Sequence, residues 1–382
     1  MLNISFLSGT RADYSKIKPY IEYLIEKKRD VQIYIFVTCM HTLAKYGHTC
    51  KEIEKDFGKK CHIVVDKTFR EENTAQETAH IVASYDTHLR KDRIDFVFVH
   101  GDRPEALAGA IAARLNNIPV CQIEAGDLSG SIDDSIRHAI TKLANRFLVC
   151  DTAAKGIVRQ LGEDAANIFI AGNSSLANKA STPPPLQDYP LPFDKYAILI
   201  YHPTTTLSEV NVQKEIQTLM QELKKSKLNY LVIMPNNDLH HQVILDTYQQ
   251  YKNDPHFCFF KSLPLNVYLT LLKNALFLVG NSSCGIKEAP YYHVPCIDIG
   301  LRQKNRCWNI RLKDFYHVDT AKGINTLIRK ITAQKHTGKT PAYRKQFFNR
   351  LNRAFSDNFW EPDIQKEFCH LPRPRRQRSS AK

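Results

Sequence analysis

At 382 residues, the chain is too long for one ordinary core, so two domains are the default. Its apolar share of 43% suits a globular protein, and no run approaches the roughly 18–20 apolar residues of a membrane helix. The net charge of +14 raises nucleic acid as a partner, but five of those charges (Arg373, Arg375, Arg376, Arg378 and Lys382) crowd into the last ten residues.

That Pro/Ser-bearing tail, 371–382, is expected to be disordered. The charge left on the folded part is spread without a dense basic helix. There is no zinc finger, RNP-like aromatic motif or GxxG clamp, so the expectation is no nucleic acid and no membrane. An anionic small substrate is reason enough for a positive cleft. The ten cysteines form no C-x-x-C pair, and several fall in expected strands. That favours a reducing cytoplasm over disulfides or structural zinc.

The segment Met1–Gly9 reads as a first strand running into a motif, not as a signal peptide. Further strand candidates follow at Val31–Val37, His62–Val65, Phe96–His100, Pro119–Ile123, Phe147–Val149 and Ile168–Ile170. Amphipathic stretches separate them at Tyr14–Lys27, Thr74–Arg90, Pro104–Leu115 and Ala153–Leu161. Short, continuously apolar strands alternating with helices predict right-handed βαβ units and a doubly wound parallel sheet over residues 1–180.

Residues 181–192 then carry five prolines in twelve positions, which a core element would not tolerate, and read as a linker. Alternation resumes at Ala197–Tyr201, Tyr230–Met234, Phe257–Phe260, Leu276–Val279 and Pro295–Ile299, predicting a second α/β domain over 193–350. The aromatic-rich Tyr343–Phe359 stretch reads as helical, with 351–370 packing near the junction.

In open parallel sheets, ligands bind beyond the carboxyl ends of the strands. Those positions are unusually polar here: Gly9–Lys16, His100–Glu105, the loop from Glu124, His202–Thr206, Gly280–Glu288 and Gly300–Arg302. Asp102, Glu124 and Asp133 bring three acids from three loops to one sheet edge. They suit general acid and base steps at carbon, or a divalent cation, for which Arg103 and Arg137 are poor neighbours.

Asp133 is expected at the N-cap of a helix whose Asp134, Arg137 and His138 share a face at i, i+3 and i+4. Gly280–Gly285, between a strand and a helix start, offers a diphosphate site or an ordinary N-cap. Glu288, a turn later, reads as a partner for ribose hydroxyls or as a surface residue, and His202 as facing the cleft or as structural. Arg11 and Lys16 flank a strand-to-helix turn, where cations hold phosphate oxygens. Neither a P-loop, a GxGxxG nor a G-x-S-x-G elbow is present.

Taken together, Gly9–Lys16, His100–Arg103, Ile123–Gly126, Ser129–Leu143 and Gly280–Glu288 resemble the UDP-N-acetylglucosamine 2-epimerase family, most closely its hydrolysing branch, which feeds sialic-acid-type sugar synthesis. The resemblance implies two Rossmann-like domains facing a cleft, as in GT-B glycosyltransferases, with UDP-sugar between them. It implies loss of the C2 proton with departure of UDP, then addition of water, giving a free 2-epimer. That scheme needs no redox cofactor and no metal, and a homo-oligomer is expected.

Carried over by position, Asp102, Glu124 and Asp133 look like the catalytic acids, supported by Arg137 and His138. Arg11, Ser15, Arg103, His202, Asn236, Ser282, Ser283, Glu288 and Arg302 look like nucleotide contacts. The chain departs from the family at Gln122, Ala125, Asp127 and Gly172–Ser175. These departures leave the sugar open between N-acetylglucosamine and a 4-acetamido-4,6-dideoxy relative of the kind used for legionaminic acid.

Overall fold

The computed structural model describes residues 1–27, 30–129, 132–178, 189, 191–236, 238–303, 314–334 and 343–360. The expected tail at 371–382, and all of the expected linker except Tyr189, Leu191 and Pro192, lie outside these residues.

The first half forms β1 (Leu2–Ser8), β2 (Val31–Val37), β3 (His62–Val65), β4 (Phe96–His100), β5 (Val120–Ile123), β6 (Arg146–Val149) and β7 (Ile168–Ile170). They lie in the order β3-β2-β1-β4-β5-β6-β7, and every pair is parallel. The second half repeats the plan with β8 (Ala197–Ile200), β9 (Tyr230–Ile233), β10 (Phe257–Phe260), β11 (Leu278–Gly280), β12 (Cys296–Ile299) and β13 (Phe315–Val318). Their order is β10-β9-β8-β11-β12-β13, again all parallel.

Both sheets reverse direction of winding beside their first strand, between β1 and β4 and between β8 and β11. Chains leaving these neighbours depart to opposite faces, which opens a crevice at their carboxyl ends. The loops after β1, β4, β8 and β11 therefore converge on the gap between the two lobes.

The helices fall where the sequence permits them to start. Asn73 caps α3 (Thr74–Lys91) by accepting from the Gln76 amide, and Pro104 opens α4 (Pro104–Leu115), where its missing N–H costs nothing. The remaining helices in the first lobe are α1 (Arg11–Lys27), α2 (Cys50–Phe57), α5 (Ile132–Leu143) and α6 (Thr152–Gln160), the last capped by Asp151; the second lobe adds α7 (Glu209–Ser226), α8 (His241–Gln249), α9 (Leu265–Asn274) and α10 (Cys284–Lys287).

Two elements depart from the sequence reading. α1 begins at Arg11, three residues earlier than its apolar period suggests, because Asp13 caps the loop from inside: it accepts from the Gly9 and Thr10 amides and from Ser8 Oγ. β13 went unrecognised, since its alternation of Phe315, Tyr316, His317 and Val318 half-buries every residue instead of forming an apolar run.

After the second lobe, residues 343–360 return to the first. Helix Tyr343–Ala354 carries Phe347 and Leu351, both 0% exposed, into the core of the first sheet beside Ile17, Tyr20 and Leu24 of α1. Phe359 follows and joins a ring cluster with Phe98 and Phe96. The aromatic stretch thus straps the second lobe's C-terminus across the underside of the first. Aromatic pairs of this kind add roughly 0.5–1.5 kcal/mol each beyond area burial.

Candidate active site

A cleft of about 670 Å³ runs between the lobes, lined from both sides by residues of the strand-end loops. Its size fits a ligand as large as a nucleotide sugar. From the first lobe come Arg11, Ser15, Asp102, Arg103, Glu124, Asp133 and Arg137. From the second come His202, Asn236, Ser282, Ser283, Glu288 and Arg302. His138 is not among the lining residues.

Glu124 stands where β5 ends. Its φ of +60° is the left-handed region, which costs a residue with a β-carbon about 1–2 kcal/mol. Gly126 follows at φ +78°, where a β-carbon would stand 2.2 Å from the Ala154 carbonyl oxygen, so only glycine lets the loop pass α6. This kink carries the buried Glu124 side chain back toward the other lobe.

There Lys287 Nζ lies 2.5 Å from Glu124 Oε2 and 2.5 Å from Asp127 Oδ2, while Lys16 Nζ is 3.4 Å from Oε1 and His100 Nε2 is 3.5 Å from Oε2. Burial alone would raise the Glu124 pKa, but Lys16, Lys287 and His100 hold it well below the usual carboxylate range.

Arg137, 1% exposed, lies beneath Glu124 and joins two loops: Nη1 donates to the Glu124 carbonyl at 2.6 Å, and Nη2 pairs with Asp102 Oδ2. Burial would weaken its charge, yet Asp102, Asp127 and Glu124 push its pKa further up. Both Asp102 and Glu124 are thus carboxylates fixed by buried cations.

Two expectations about α5 need correction. The helix begins at Ile132, so Asp133 sits in its first turn and not at the N-cap, where a carboxylate still meets the positive end of the helix dipole. Asp134 closes the loop by accepting from the Ser129 amide at 2.6 Å and from Ser129 Oγ at 2.7 Å. Nor do Arg137 and His138 act on one front. Adjacent helical residues point about 100° apart, so Arg137 facing Glu124 turns His138 away from the cleft. His138 Nε2 is buried with no hydrogen-bond partner among the described residues.

On the second lobe, His202 follows β8. Its backbone N–H donates to Asn281 Oδ1 at 2.7 Å, and its Nδ1 accepts from the Asn236 amide at 3.1 Å. Burial, with Arg302 close by, lowers its pKa to about 3. The ring is therefore neutral, and Nδ1 as acceptor leaves the hydrogen on Nε2 as a donor. Asn281 also donates to the His202 carbonyl at 2.8 Å, binding the ends of β8 and β11 together. Gly280, at φ +136°, permits that approach: a β-carbon there would stand 1.9 Å from the Ile200 carbonyl oxygen.

The helix expected after this loop, α10, is a single turn, Cys284–Lys287, because Pro290 follows so soon. So short a helix has little dipole, which removes that part of the argument for a phosphate site and leaves the loop's hydroxyls, Ser282 and Ser283, on the cleft wall.

Several residues expected to touch a nucleotide already tie the lobes together. Arg11 donates to Ser262 Oγ at 2.6 Å and to Glu52 at 2.8 Å. Arg103 reaches Asp238 at 3.5 Å as well as Glu105 at 2.7 Å. Glu288, 4% exposed, accepts from Lys16 at 2.9 Å and from Ser175. Arg302 donates to the Asn281 carbonyl at 3.3 Å, and Ser15 Oγ to the Ala12 carbonyl at 2.6 Å.

The positions at which the chain departs from the family it resembles stand behind the cleft wall. Gln122, 0% exposed, donates to the carbonyls of Gly101 and Arg137 and accepts from Thr141, and Ala125 is fully buried. Gln122 touches the cleft-lining Gly101 and Arg137, as Asp127 touches Lys287, and Asn173 and Ser175 touch Lys16.

Glu124, Asp127 and Cys150 offer ligand atoms within 4.8 Å of one another. The donor set does not favour a metal ion: Lys287 already sets its ammonium between the two carboxylates. Burial, with Glu124 and Asp127 adjacent, also keeps the Cys150 thiol protonated.

Two participants carry no signal of their own in the sequence: Lys287 stands beside Glu288 in no charge pattern, and Asp13 sits within the polar Gly9–Lys16 loop. Asp13 is pushed up to about 6 by burial and by Glu105, though the amides it accepts from mark it as the clamp of the Gly9–Arg11 turn.

Comparison with known proteins places the chain among nucleotide-sugar enzymes. The family model described as UDP-N-acetylglucosamine 2-epimerase matches residues 24–348. A UDP-N-acetylglucosamine 2-epimerase of Neisseria meningitidis serogroup B is 39% identical, over 80% of this chain and 81% of that protein. A UDP-N,N'-diacetylbacillosamine 2-epimerase (hydrolyzing) of Legionella pneumophila is 33% identical, over 79% of this chain and 82% of that protein. Among solved structures, a Neisseria meningitidis UDP-GlcNAc 2-epimerase bound to UDP-GlcNAc superposes with a TM-score of 0.75 at 15% identity, covering 92% of this chain and 99% of that one. At that identity the last match speaks for the two-lobed fold alone.

Proposed function

The chain belongs to the UDP-N-acetylglucosamine 2-epimerase family, and we propose that it works as a hydrolysing UDP-sugar 2-epimerase on a 2-acetamido sugar. The observation that carries this reading is the cleft itself. Asp102, Glu124 and Asp133 enter it from the first lobe, facing His202, Ser282, Ser283 and Arg302 of the second.

In this scheme a carboxylate takes the proton from C2 of the sugar. The C–H electron pair forms a C1=C2 double bond, and the C1–O bond breaks with its pair leaving on UDP. Water then adds its oxygen to C1, and a proton returns to C2 from the opposite face. One water is consumed, and UDP and a free 2-epimer leave.

The C2 proton is only weakly acidic, so the step needs a carboxylate fixed in place and water held off until the intermediate forms. Arg137 under Asp102 and Glu124 provides the fixing. His202, presenting Nε2–H, and the cleft-lining hydroxyls of Ser282 and Ser283 are assigned to the diphosphate, with Arg11, Arg103 and Arg302 offsetting its charge. Asn236 and Glu288 are assigned to the nucleoside, and Ser15 to the turn that carries Arg11. His138, away from the cleft, receives no role at substrate.

The hydrolytic step has support from the Legionella pneumophila relative's name, which carries the same word. Both N-acetylglucosamine and its 2,4-diacetamido-2,4,6-trideoxy analogue remain candidates, giving N-acetylmannosamine or the corresponding diacetamido-trideoxymannose.

Incubating the protein with each UDP-sugar is expected to release one equivalent of UDP per free 2-epimer formed, without an added acceptor. A new UDP-linked epimer with no free UDP would reject hydrolysis in favour of simple epimerisation. Product only in the presence of an acceptor would point to glycosyl transfer.

A further inference from the structure

We propose that Lys287, carried by the second lobe, is a positioning residue for the proton-transfer step: it holds the Glu124 carboxylate of the first lobe in its working orientation only when the lobes are closed. This rests on the hydrolysing-epimerase reading and adds to it a residue and a coupling that the sequence did not suggest.

Three observations carry it. Lys287 lies on α10, directly after the Ser282–Ser283 loop assigned to the diphosphate, yet its ammonium reaches across the gap to Glu124 Oε2 and Asp127 Oδ2, 2.5 Å from each. Lys16 crosses the other way, from the first lobe to Glu288 at 2.9 Å, the residue next to Lys287. Two lysines exchanged between lobes thus bracket one carboxylate. Finally, the Lys287 backbone is itself gripped by the first lobe, through Asn173 Nδ2 donating to its carbonyl at 2.9 Å. Whatever orders the loop before α10 also delivers this cation.

The consequence is chemical. A buried carboxylate with no partner takes up a proton and ceases to be a base. The groups facing Glu124 are Lys16 and Tyr20 from α1, His100 at the end of β4, Asp127 on its own loop, Arg137 from α5, Cys150 after β6, and Lys287 with Glu288 from the second lobe. Asp127 and Glu288 oppose its negative charge, whereas Lys16, Lys287, His100 and Arg137 favour it. Opening the cleft removes Lys287, leaving Glu124 with the cations of its own lobe. Its pKa then rises, so the base is most fully ionised once a nucleotide has bridged the lobes.

The test compares the pH dependence of kcat for wild type, Lys287→Met and Lys287→Arg, following UDP release from whichever UDP-sugar the wild type turns over. Because Glu124 is depressed, activity that depends on its ionised form is present above the folded pKa and lost as pH falls through it. Removing the cation should raise that pKa, so the acid limb of the Lys287→Met profile should move up by about one unit or more. That is a loss of roughly tenfold or more at pH values on the limb, shrinking as pH rises. Lys287→Arg should restore the wild-type limb.

An unmoved limb in an active Lys287→Met enzyme, or an equal loss at every pH, overturns the role of Lys287 alone. If Lys287→Met does not fold, Lys287→Gln, which keeps a hydrogen bond but no charge, takes its place with the same criteria. No turnover by the wild type on either sugar overturns the functional reading, and this inference with it.

Discussion

Glu124→Gln should lower kcat by roughly 10²–10⁴-fold while leaving the affinity for UDP nearly unchanged. The amide keeps the shape and the hydrogen-bonding reach of the carboxylate but cannot accept the C2 proton. The site around it should survive: Arg137 Nη1 holds the backbone carbonyl of Glu124 at 2.6 Å, and Lys287 and Lys16, which lose one charge partner, keep Asp127 and Glu288. Asp102→Asn and Asp133→Asn should behave alike, losing turnover and keeping UDP. The measurement pairs UDP release with calorimetric titration of UDP. Full activity in any of the three would remove that residue from the mechanism.

Arg137→Met should damage both stability and turnover. The guanidinium is 1% exposed, and its loss leaves Asp102 without its Arg137 partner and the Glu124 carbonyl without its donor. Removing one partner of a fully buried ion pair typically costs about 3–5 kcal/mol; the Asp102 side chain is 22% exposed at the cleft and can be partly rehydrated, so the loss should fall at or below the lower end of that range. Arg137→Lys should not rescue it, since one ammonium cannot replace a planar fork that joins two loops. Chemical denaturation of the two variants, set beside their turnover, checks this. A variant as stable as wild type would mean that Asp102 rehydrates or finds another cation.

Much of the fold could be read in the sequence because its information is local. Short apolar runs such as Phe96–His100 have no alternative to a strand covered on both faces, and the loops after them follow at fixed positions. The cleft positions of Asp102, His202 and Ser282 come from that rule, applied where each sheet reverses, and Glu124 follows the next strand, β5.

What stayed hidden depends on how the lobes meet. Nothing in the spacing of Lys287 and Glu124, more than 160 residues apart, announces that they touch. Lys16 looked like a phosphate ligand for the same reason: a cation near a strand end reads alike whether its partner is a substrate or the other lobe. His138 shows a different gap. The sequence placed it on a helix beside Arg137, but which of two adjacent side chains faces the cleft is set by the pitch of α5 against β5, and the guanidinium took that place. The β13 strand was lost because a half-buried edge needs no apolar run.

The measurement that bears most directly on all of this is turnover of the UDP-sugar in D₂O, with the product examined by NMR at C2. The account predicts one deuterium at C2 of every free 2-epimer, with UDP released in equal amount, and neither event in Glu124→Gln. A 2-epimer that keeps its original hydrogen at C2, or sugar released without inversion there, would contradict proton transfer by the acids of the first lobe.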